Sequence, residues 1–429
     1  MPPVTRRSFL QSGLAGGAFL GLPTSVYRAA LGADGEKPSE RVRIASIGLG
    51  GQGKSNLKAV IKNVVALCDV DSSHLSSAAA DLEKAGTKPV AVGDYRKLLD
   101  SKDIDAVLIS TPDHWHALTT IHACQAGKDV YCEKPLSLFV TEGRAMVKAA
   151  RDNKRIVQTG SQQRSDPHAR FRTACELVRN GALGAIKTVK VGLPGPNFQG
   201  PPVPDGKPPA NLDYELWLGP APQRPYNLKR THYLFRFFWD YSGGQQTNFG
   251  AHDLDIAQWG LGMDDSGPVS VEGSATFNKD KWFETPETAK QTFTYANGVV
   301  LLCSLGSGGY PGGTTFEGEK GTIHVNRSGL TMTLGGQKVA DPYKLPTNET
   351  KLYVSGSHHG NWLDCIKTRK LPICDVEIGH RSATVCHLGN IALRTGRKLT
   401  WDPVGETIVG DPDAAAMLNR PYRQPWKLG

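Results

Sequence analysis

The sequence predicts an α/β domain with a parallel sheet over residues 41–163, followed by an α+β domain over residues 164–429 with a large, mostly antiparallel open sheet. In the first part, short apolar strand patterns alternate with helical patterns, which is typical of right-handed βαβ units. In the second part, strand patterns follow one another closely. The chain has 429 residues, which is enough for two domains with substantial cores.

The start of the chain predicts an export signal. Arg6 and Arg7 precede an apolar, glycine-rich stretch from Leu14 to Leu22, which is too short for a permanent membrane span. The run TRRSFL resembles a twin-arginine signal, the kind that directs folded proteins to the periplasm or outside the cell. We therefore expect residues 1–33 to be a cleaved signal peptide and the protein to be exported. No other run is long and apolar enough to predict a membrane anchor.

Composition argues against two further classes of protein. The formal net charge is +9, but no basic run carries interleaved aromatic residues, so we expect no nucleic-acid partner. The eight cysteines have scattered spacings and form no CxxC motif, and several lie in apolar runs such as VVALCDV. This pattern favours buried, reduced thiols over a disulfide framework.

The elements of the first domain can be read in order. Each predicted strand is a short apolar run, and the strands are RVRIASIGLG, NVVALCDVD, DAVLISTPDHWH, DVYCEKPL and RIVQTGSQQR. The helical patterns between them are KSNLKAVIK, SSHLSSAAADLEKAG, HALTTIHACQAGK and TEGRAMVKAARDNK. Such an alternation requires a parallel sheet that is covered on both faces.

The regular alternation of strand and helix patterns ends in the second domain. DPHARFRTACELVRNGALG predicts a helix, and AIKTVKVGL alternates with period two as a half-buried strand does. Four strand patterns then follow closely, and YANGVV carries an Asn-Gly hairpin signal. One face of this sheet would pack on helices and the other could pack on a second subunit, so we expect a dimer or a tetramer.

A glycine-rich turn ends the first strand. Gly48, Gly50 and Gly53 have the G-x-G-x-x-G spacing, and Asp69 follows Gly48 by 21 residues at the end of the second strand. This context is the fingerprint of a Rossmann dinucleotide site, in which the helix start at Gln52 offers free N–H groups to a pyrophosphate. Because a carboxylate binds ribose hydroxyls and repels a 2′-phosphate, Asp69 favours NAD over NADP.

The run STPDHWHA, followed by HACQAGKDVYCEKPLS, resembles the Gfo/Idh/MocA family of oxidoreductases, whose mark here is Glu133-Lys134-Pro135 at a strand end. The resemblance extends more loosely over the second half, through WLGPAPQRPYN, WDYSGGQQTNFGAHDLDIAQW and GHRSATVCHLGNIALRTGRKLTWDP. It implies a Rossmann domain that binds NAD. Reaction and substrate do not follow from it, because the family is chemically diverse.

The resemblance also implies roles for single residues around the dinucleotide. Thr111 and Pro112 would line the adenosine–ribose side, and His116 would lie near the nicotinamide half. Glu133 and Lys134 would meet the nicotinamide ribose. The complete predicted cofactor-binding set is Gly48, Gly50, Gln52, Gly53, Asp69, Thr111, Pro112, His116, Glu133, Lys134 and Gln162.

No metal site is predicted. His114 and His116 form a His-x-His pair, but no third ligand stands at a useful spacing from them. The residues of this stretch are accounted for by the dinucleotide.

The resemblance implies Lys134 and His252 as catalytic residues. Oxidation of an alcohol needs a proton acceptor with a pKa near the working pH, and Lys134 would lie beside the nicotinamide. Related dehydrogenases use the histidine as a base, often with an acid four residues earlier, where this chain has Asn248. Either His252 acts with Lys134 alone, or Asp255 or Asp240 supplies the charge, since Asp255 shares a helical face with His252.

The run RFFWDYSGGQ suits a carbohydrate ligand. Aromatic rings stack on the apolar faces of sugars, and charged groups bind sugar hydroxyls. A subunit interface or a core cluster would use the same residue types. The predicted substrate-binding set is Arg236, Trp239, Asp240, Tyr241, Asn248 and Asp255.

These features lead to an expected function. We expect an NAD(P)-dependent oxidoreductase that acts on a carbohydrate or cyclitol hydroxyl and holds NAD tightly, because free NAD should be scarce outside the cytoplasm. One alternative is an NAD-dependent glycosidase that works by transient oxidation and elimination. The other is a non-catalytic exported sugar-binding protein.

Overall fold

The structure, a computed structural model, describes residues 41–428 apart from Gln199, Lys281 and Asn348. The predicted signal peptide over residues 1–33 lies outside the described residues.

Six parallel strands form the first sheet, in the order β3-β2-β1-β4-β5-β6. The strands are β1 (Ile44–Ile47), β2 (Val64–Cys68), β3 (Val90–Val92), β4 (Ala106–Ile109), β5 (Asp129–Cys132) and β6 (Val157–Thr159). The helices between them are α1 (Gly51–Ala59), α2 (Ser72–Lys84), α3 (Arg96–Leu99), α4 (His116–Gln125) and α5 (Val140–Asp152). The strand order reverses between β1 and β4, and in such sheets ligands bind at that point, outside the carboxyl ends of the strands.

The second sheet has ten strands, in the order β14-β13-β12-β11-β7-β10-β9-β8-β15-β16. They are β7 (Ile186–Leu193), β8 (Ser270–Phe277), β9 (Pro286–Thr294), β10 (Val300–Leu305), β11 (Gly313–Gly318), β12 (Gly321–Asn326), β13 (Gly329–Leu334), β14 (Gln337–Lys338), β15 (Leu399–Asp402) and β16 (Thr407–Val409). Pairing is antiparallel except between β7 and β10, which run parallel. The predicted mostly antiparallel sheet is confirmed, and Asn297-Gly298 makes the predicted hairpin turn between β9 and β10.

Helices of the second half pack on this sheet and on the site. They are α6 (Arg170–Arg179), α7 (Tyr214–Leu218), α8 (Gly244–Asn248), α9 (Gly250–Leu261), α10 (His358–Thr368), α11 (Val376–Thr395) and α12 (Pro412–Ala416). Side chains of α6, α9 and α11, such as Leu177, Leu254 and Leu388, share one core with sheet residues such as Phe316 and Val271. This core fixes α8 and α9, which carry predicted site residues.

Residues 211–236, called the covering segment below, cross to the first sheet. Ser72 N donates to Asn211 O at 2.8 Å, and Asp213 N donates to Val70 O at 2.9 Å, both just beyond β2. The covering segment therefore lies over the carboxyl ends of the parallel strands, where a dinucleotide binds in this fold.

All eight cysteines are buried and free, as the sequence predicted. Within the described residues, none of the helices combines the length and apolar character needed to cross a membrane.

Candidate active site

A cavity of about 570 Å³ opens at the carboxyl ends of the parallel strands, between the first sheet and the covering segment, α8 and α9. Ten of the predicted cofactor-binding residues line it, namely Gly48, Gly50, Gln52, Asp69, Thr111, Pro112, His116, Glu133, Lys134 and Gln162. The position of the cavity agrees with the strand-order reversal between β1 and β4.

The glycine turn is built for close backbone approach. Gly48 has φ +83°, and a Cβ there would lie 2.7 Å from the backbone of Ser110. Gly53 does not line the cavity, but a Cβ on it would lie 2.1 Å from Gly48 O, so the residue keeps α1 tight against the turn. Gly50 precedes α1, and the first turn of α1 contains no acidic residue. The helix start therefore presents N–H groups and a positive dipole end that fit a pyrophosphate.

Asp69 is held in place before any ligand arrives. Its Oδ2 accepts a hydrogen bond from Leu49 N at 2.7 Å, and its Oδ1 accepts one from Asp71 N at 2.8 Å. Its side chain is 9% exposed and faces the cavity. A fixed carboxylate at this position fits the hydroxyls of an adenosine ribose and disfavours a 2′-phosphate.

His116 joins two loops at the cavity wall. Its ring nitrogens lie 2.8 Å from Pro135 O and 2.9 Å from Thr111 O. Both nitrogens are thus directed at backbone carbonyls, so the ring positions the loops after β4 and β5, which carry Thr111 and Lys134.

Glu133 is buried beside the cavity. Its Oε1 accepts hydrogen bonds from Asn56 Nδ2 at 2.8 Å and from Gln162 Nε2 at 3.3 Å. Burial raises the pKa of Glu133, while Lys134 opposes that rise. Asn56 was missed by the sequence analysis, because an asparagine inside a helix pattern carries no signal of its distant partner.

Lys134 reaches from the end of β5 to the second half of the protein. Its Nζ donates to Asn248 Oδ1 at 2.7 Å and to Asn248 O at 3.0 Å. Burial lowers the pKa of Lys134 to about 8, Arg236 and Arg327 also lower it, and Glu133 opposes the shift. Such a lysine can exist as a neutral amine near the pH at which enzymes work.

His252 lies on α9 and lines the same cavity. It is 7% exposed, and burial, with a contribution from Lys134, lowers its pKa well below the ordinary value. In the described part of the protein, its Nδ1 has no hydrogen-bond partner. The lowered pKa favours the neutral form of the ring.

The structure does not place Asp255 at the cavity. Its carboxylate forms a buried ion pair with Arg164, with both Nε and Nη2 of the arginine at 2.8 Å, and it also accepts from Ser382 Oγ. His252 and Asp255 do lie on one helix, as predicted, but the Asp255 side chain faces the protein core. Asp255 thus holds a buried ion pair away from the cavity, where the sequence predicted a substrate-binding residue.

Only part of the predicted substrate-binding run before the Gly243-Gly244 turn reaches the cavity. Arg236 lines the cavity, but Trp239, Asp240 and Tyr241 do not. The Tyr241 ring is buried against Trp217, with ring centroids 4.9 Å apart. Asp240 pairs with Arg224, and Trp239 lies under Arg394. The three residues instead join the covering segment to α11 and its neighbours, so the core-cluster alternative describes them better.

Other cavity residues come from segments that carried no motif. Tyr233 and Phe235 lie in the covering segment, and the guanidinium of Arg236 is 4.7 Å from each of their ring centroids. Arg327 lies in the turn between β12 and β13. Asn248, which the sequence predicted as a substrate-binding residue, lies in α8 and also lines the cavity. Of these residues, Arg236 and Arg327 lie close enough to Lys134 to lower its pKa.

Two family models match this chain. Residues 42–161 match the model described as "Oxidoreductase family, NAD-binding Rossmann fold", and residues 201–428 match "Oxidoreductase family, C-terminal alpha/beta domain" of the same family. The chain belongs to the Gfo/Idh/MocA oxidoreductase family. Residues 42–161 accordingly form an NAD-binding Rossmann domain.

The chain is also similar in sequence to individual members of the family. The chain is 27% identical over 261 residues to the uncharacterized oxidoreductase YrbE of Bacillus subtilis, covering 60% of this chain and 64% of YrbE. It is 27% identical over 288 residues to an inositol 2-dehydrogenase of Rhizobium meliloti, covering 66% of this chain and 74% of that enzyme. The aligned part thus spans about two thirds to three quarters of these two relatives.

The fold also matches solved structures. An aldose-aldose oxidoreductase from Caulobacter crescentus, crystallised with glycerol, superposes with a TM-score of 0.63 at 21% identity, covering 84% of this chain and 99% of that chain. At this identity the likeness shows the fold alone.

Proposed function

We propose that the protein oxidises a hydroxyl of a carbohydrate or cyclitol, with NAD as the tightly held hydride acceptor. The observation that carries the proposal is the placement of Lys134 Nζ, 2.7 Å from Asn248 Oδ1, in the NAD cavity that His252 also lines. The inositol 2-dehydrogenase relative supports a polyol substrate. Tyr233 and Phe235 offer rings on which a sugar face can stack.

The proton step follows from the two pKa shifts. The residues of the cavity would hold NAD, which would supply the acceptor for the hydride leaving the carbon that carries the hydroxyl. The neutral amine of Lys134, populated because burial lowers its pKa to about 8, accepts the hydroxyl proton. Neutral His252 hydrogen-bonds the same hydroxyl and orients it. Asn248 holds Nζ of Lys134 without adding a charge that would raise the pKa of the amine.

Tight retention of NAD is supported by the covering segment. Beyond its contacts with the loop after β2, the segment is bonded to the loop after β4, where Trp115 Nε1 donates to Leu216 O at 3.1 Å. Release of the dinucleotide therefore requires these bonds to open. We propose that the protein is exported after folding, already loaded with NAD, and that a second substrate reoxidises the cofactor in a ping-pong cycle.

Mass spectrometry of the nucleotide released by denaturing the purified protein tests the first part of the proposal. We expect NAD or NADH in a near one-to-one ratio with the chain. A panel of sugars and cyclitols is then added in single turnover, and a lasting absorbance at 340 nm is expected with the true substrate.

Two variants sharpen this test. Lys134→Met should reduce the single-turnover rate by about 100-fold or more, since general base catalysis contributes that much, while the bound nucleotide remains. The exposed Lys344→Met is the matched control and should leave the rate unchanged. Release of an aglycone without a lasting 340 nm signal would instead indicate the glycosidase, and unaltered turnover in Lys134→Met would contradict the proposed proton acceptor.

A further inference from the structure

A second cluster of side chains lies at the end of the cavity where Asp69 is found. Asp71 precedes α2, His74 lies in the first turn of α2, and His232 belongs to the covering segment. One ligand atom from each of the three residues lies within 4.8 Å of the other two. The cluster therefore joins two segments of chain that are far apart in sequence, and none of its members takes part in the proton step proposed above.

The carboxylate of Asp71 is oriented for a partner. Its Oδ1 accepts hydrogen bonds from Ser73 N and from Asn211 Nδ2, both at 2.8 Å. Its Oδ2 faces His232, whose Nε2 is 3.5 Å away. Donors on one oxygen thus fix the direction of the other, as outer hydrogen bonds do for carboxylates that ligate metals.

The His74 ring lies beside that of His232, and its Nδ1 is 3.6 Å from Asp69 Oδ2. The ring centroids of His74 and His232 are 5.1 Å apart, and the rings are inclined at 62° to each other. His232 has φ +51°, which is uncommon for a residue other than glycine, and this backbone conformation directs its ring back toward α2. Backbone hydrogen bonds between the covering segment and the loop after β2 hold together the two chain segments that carry these rings.

We propose that Asp71, His74 and His232 bind a divalent transition-metal ion of the Zn²⁺ type, which clips the covering segment to α2. Two imidazoles and one carboxylate form a donor set suited to Zn²⁺, with a fourth position open to water. At zinc–ligand distances of about 2.0–2.2 Å, tetrahedral donors lie roughly 3.3 Å apart. The 3.5 Å separation of His232 Nε2 and Asp71 Oδ2 already meets this spacing, and rotation of the partly exposed His74 ring closes the rest.

The experiment uses the full chain, stripped with a chelator and titrated with Zn²⁺ alone by calorimetry. We expect one Zn²⁺ per chain. His74→Ala and His232→Asn should each weaken the affinity by more than about tenfold, because loss of a ligand exceeds the loss known for outer-shell partners. Asparagine is chosen at position 232 because it tolerates a positive φ. His168→Ala, an exposed histidine elsewhere, is the matched control and should bind as the wild type does.

The proposed link between the covering segment and α2 is tested by the rate of dinucleotide release, and this test rests on the proposed binding of NAD. Removal of Zn²⁺ should speed the release of bound dinucleotide in the wild type at least fivefold, and should change nothing in His74→Ala. Circular dichroism of the variants confirms that they are folded. Absence of stoichiometric Zn²⁺ binding in the wild type, or equal binding in both variants, would overturn the site. Binding with no effect on dinucleotide release would overturn the clip while leaving the proposed oxidoreductase activity untouched.

Discussion

Lys134 lies beside a neutral amide where a carboxylate would be the usual partner of an ammonium group. Asn248 Oδ1 accepts a hydrogen bond from Lys134 Nζ at 2.7 Å, and burial is the largest cause that lowers the pKa of Lys134 to about 8. Burial disfavours the charged form of a lysine, so the neutral amine predominates above that pH and the ammonium below it. The rate of hydroxyl oxidation should therefore rise with pH through about 8, because only the amine accepts a proton.

Asn248→Asp provides the test at this scale. A carboxylate placed against Nζ favours the ammonium form, so the ascending limb of the kcat/KM profile should move to higher pH by about 1 to 3 units. At pH 7 the variant should oxidise substrate more slowly, and the deficit should narrow as the pH rises. The pH profile of kcat/KM between 6 and 10 measures the shift.

The control for this variant is Asn419→Asp. Asn419 is exposed and accepts a hydrogen bond from Thr141 Oγ1, which an aspartate also accepts, so the profile should match that of the wild type. An unmoved ascending limb in Asn248→Asp would mean that Lys134 does not set the pH dependence.

The sequence predicted the positions of site residues well where they belong to a contiguous motif. It predicted them less well where helical periodicity was the only signal. Gly48 and Asp69 are fixed by backbone geometry within one βαβ unit, so spacing in the sequence determines their position. Asp255 has the correct helical spacing from His252, but periodicity cannot tell which neighbour covers a given face. Its partner Arg164 lies 91 residues away along the chain, and no local pattern reports that contact.

At the scale of elements, the pairing of Arg164 with Asp255 fixes α9, and with it His252. Both side chains are almost fully buried, at 1% and 0% exposure, and the guanidinium also contacts Asp264, whose side chain is 31% exposed. Removing one partner of a buried pair leaves an uncompensated charge, which costs about 3–5 kcal/mol.

Asp255→Asn should therefore lower the free energy of unfolding by about 3 kcal/mol. Asp264→Asn is the matched control and should cost less than about 1 kcal/mol, because its carboxylate is partly solvated and Arg164 keeps Asp255. Urea denaturation measures both values. The KM of folded Asp255→Asn for substrate should stay close to that of the wild type, and a large rise in KM with little loss of stability would restore Asp255 as a substrate-binding residue.

At the scale of the whole molecule, the two halves share a core. Trp426, near the end of the described chain, is 8% exposed and lies edge-on against Trp115, with ring centroids 4.9 Å apart. Val376, at the start of α11, is buried in the same cluster as the first-sheet residues. Helix α11 also packs against α5. The boundary predicted near residue 163 from the change of strand pattern therefore does not separate two cores that are independent of each other.

Trp426→Ala should reveal this coupling. Deletion of a buried tryptophan side chain costs about 3–5 kcal/mol of folding free energy. The loss should appear in one cooperative unfolding transition, because this ring comes from the second half of the chain and packs in the core of the first sheet. Val404→Ala, at a residue that is 90% exposed, should leave the stability unchanged. Unfolding is followed by tryptophan fluorescence for the whole chain and by release of NADH fluorescence for the first domain. We expect the two unfolding midpoints to coincide in the wild type and to shift together in Trp426→Ala. A shift of the NADH midpoint alone would mean that the two halves unfold independently.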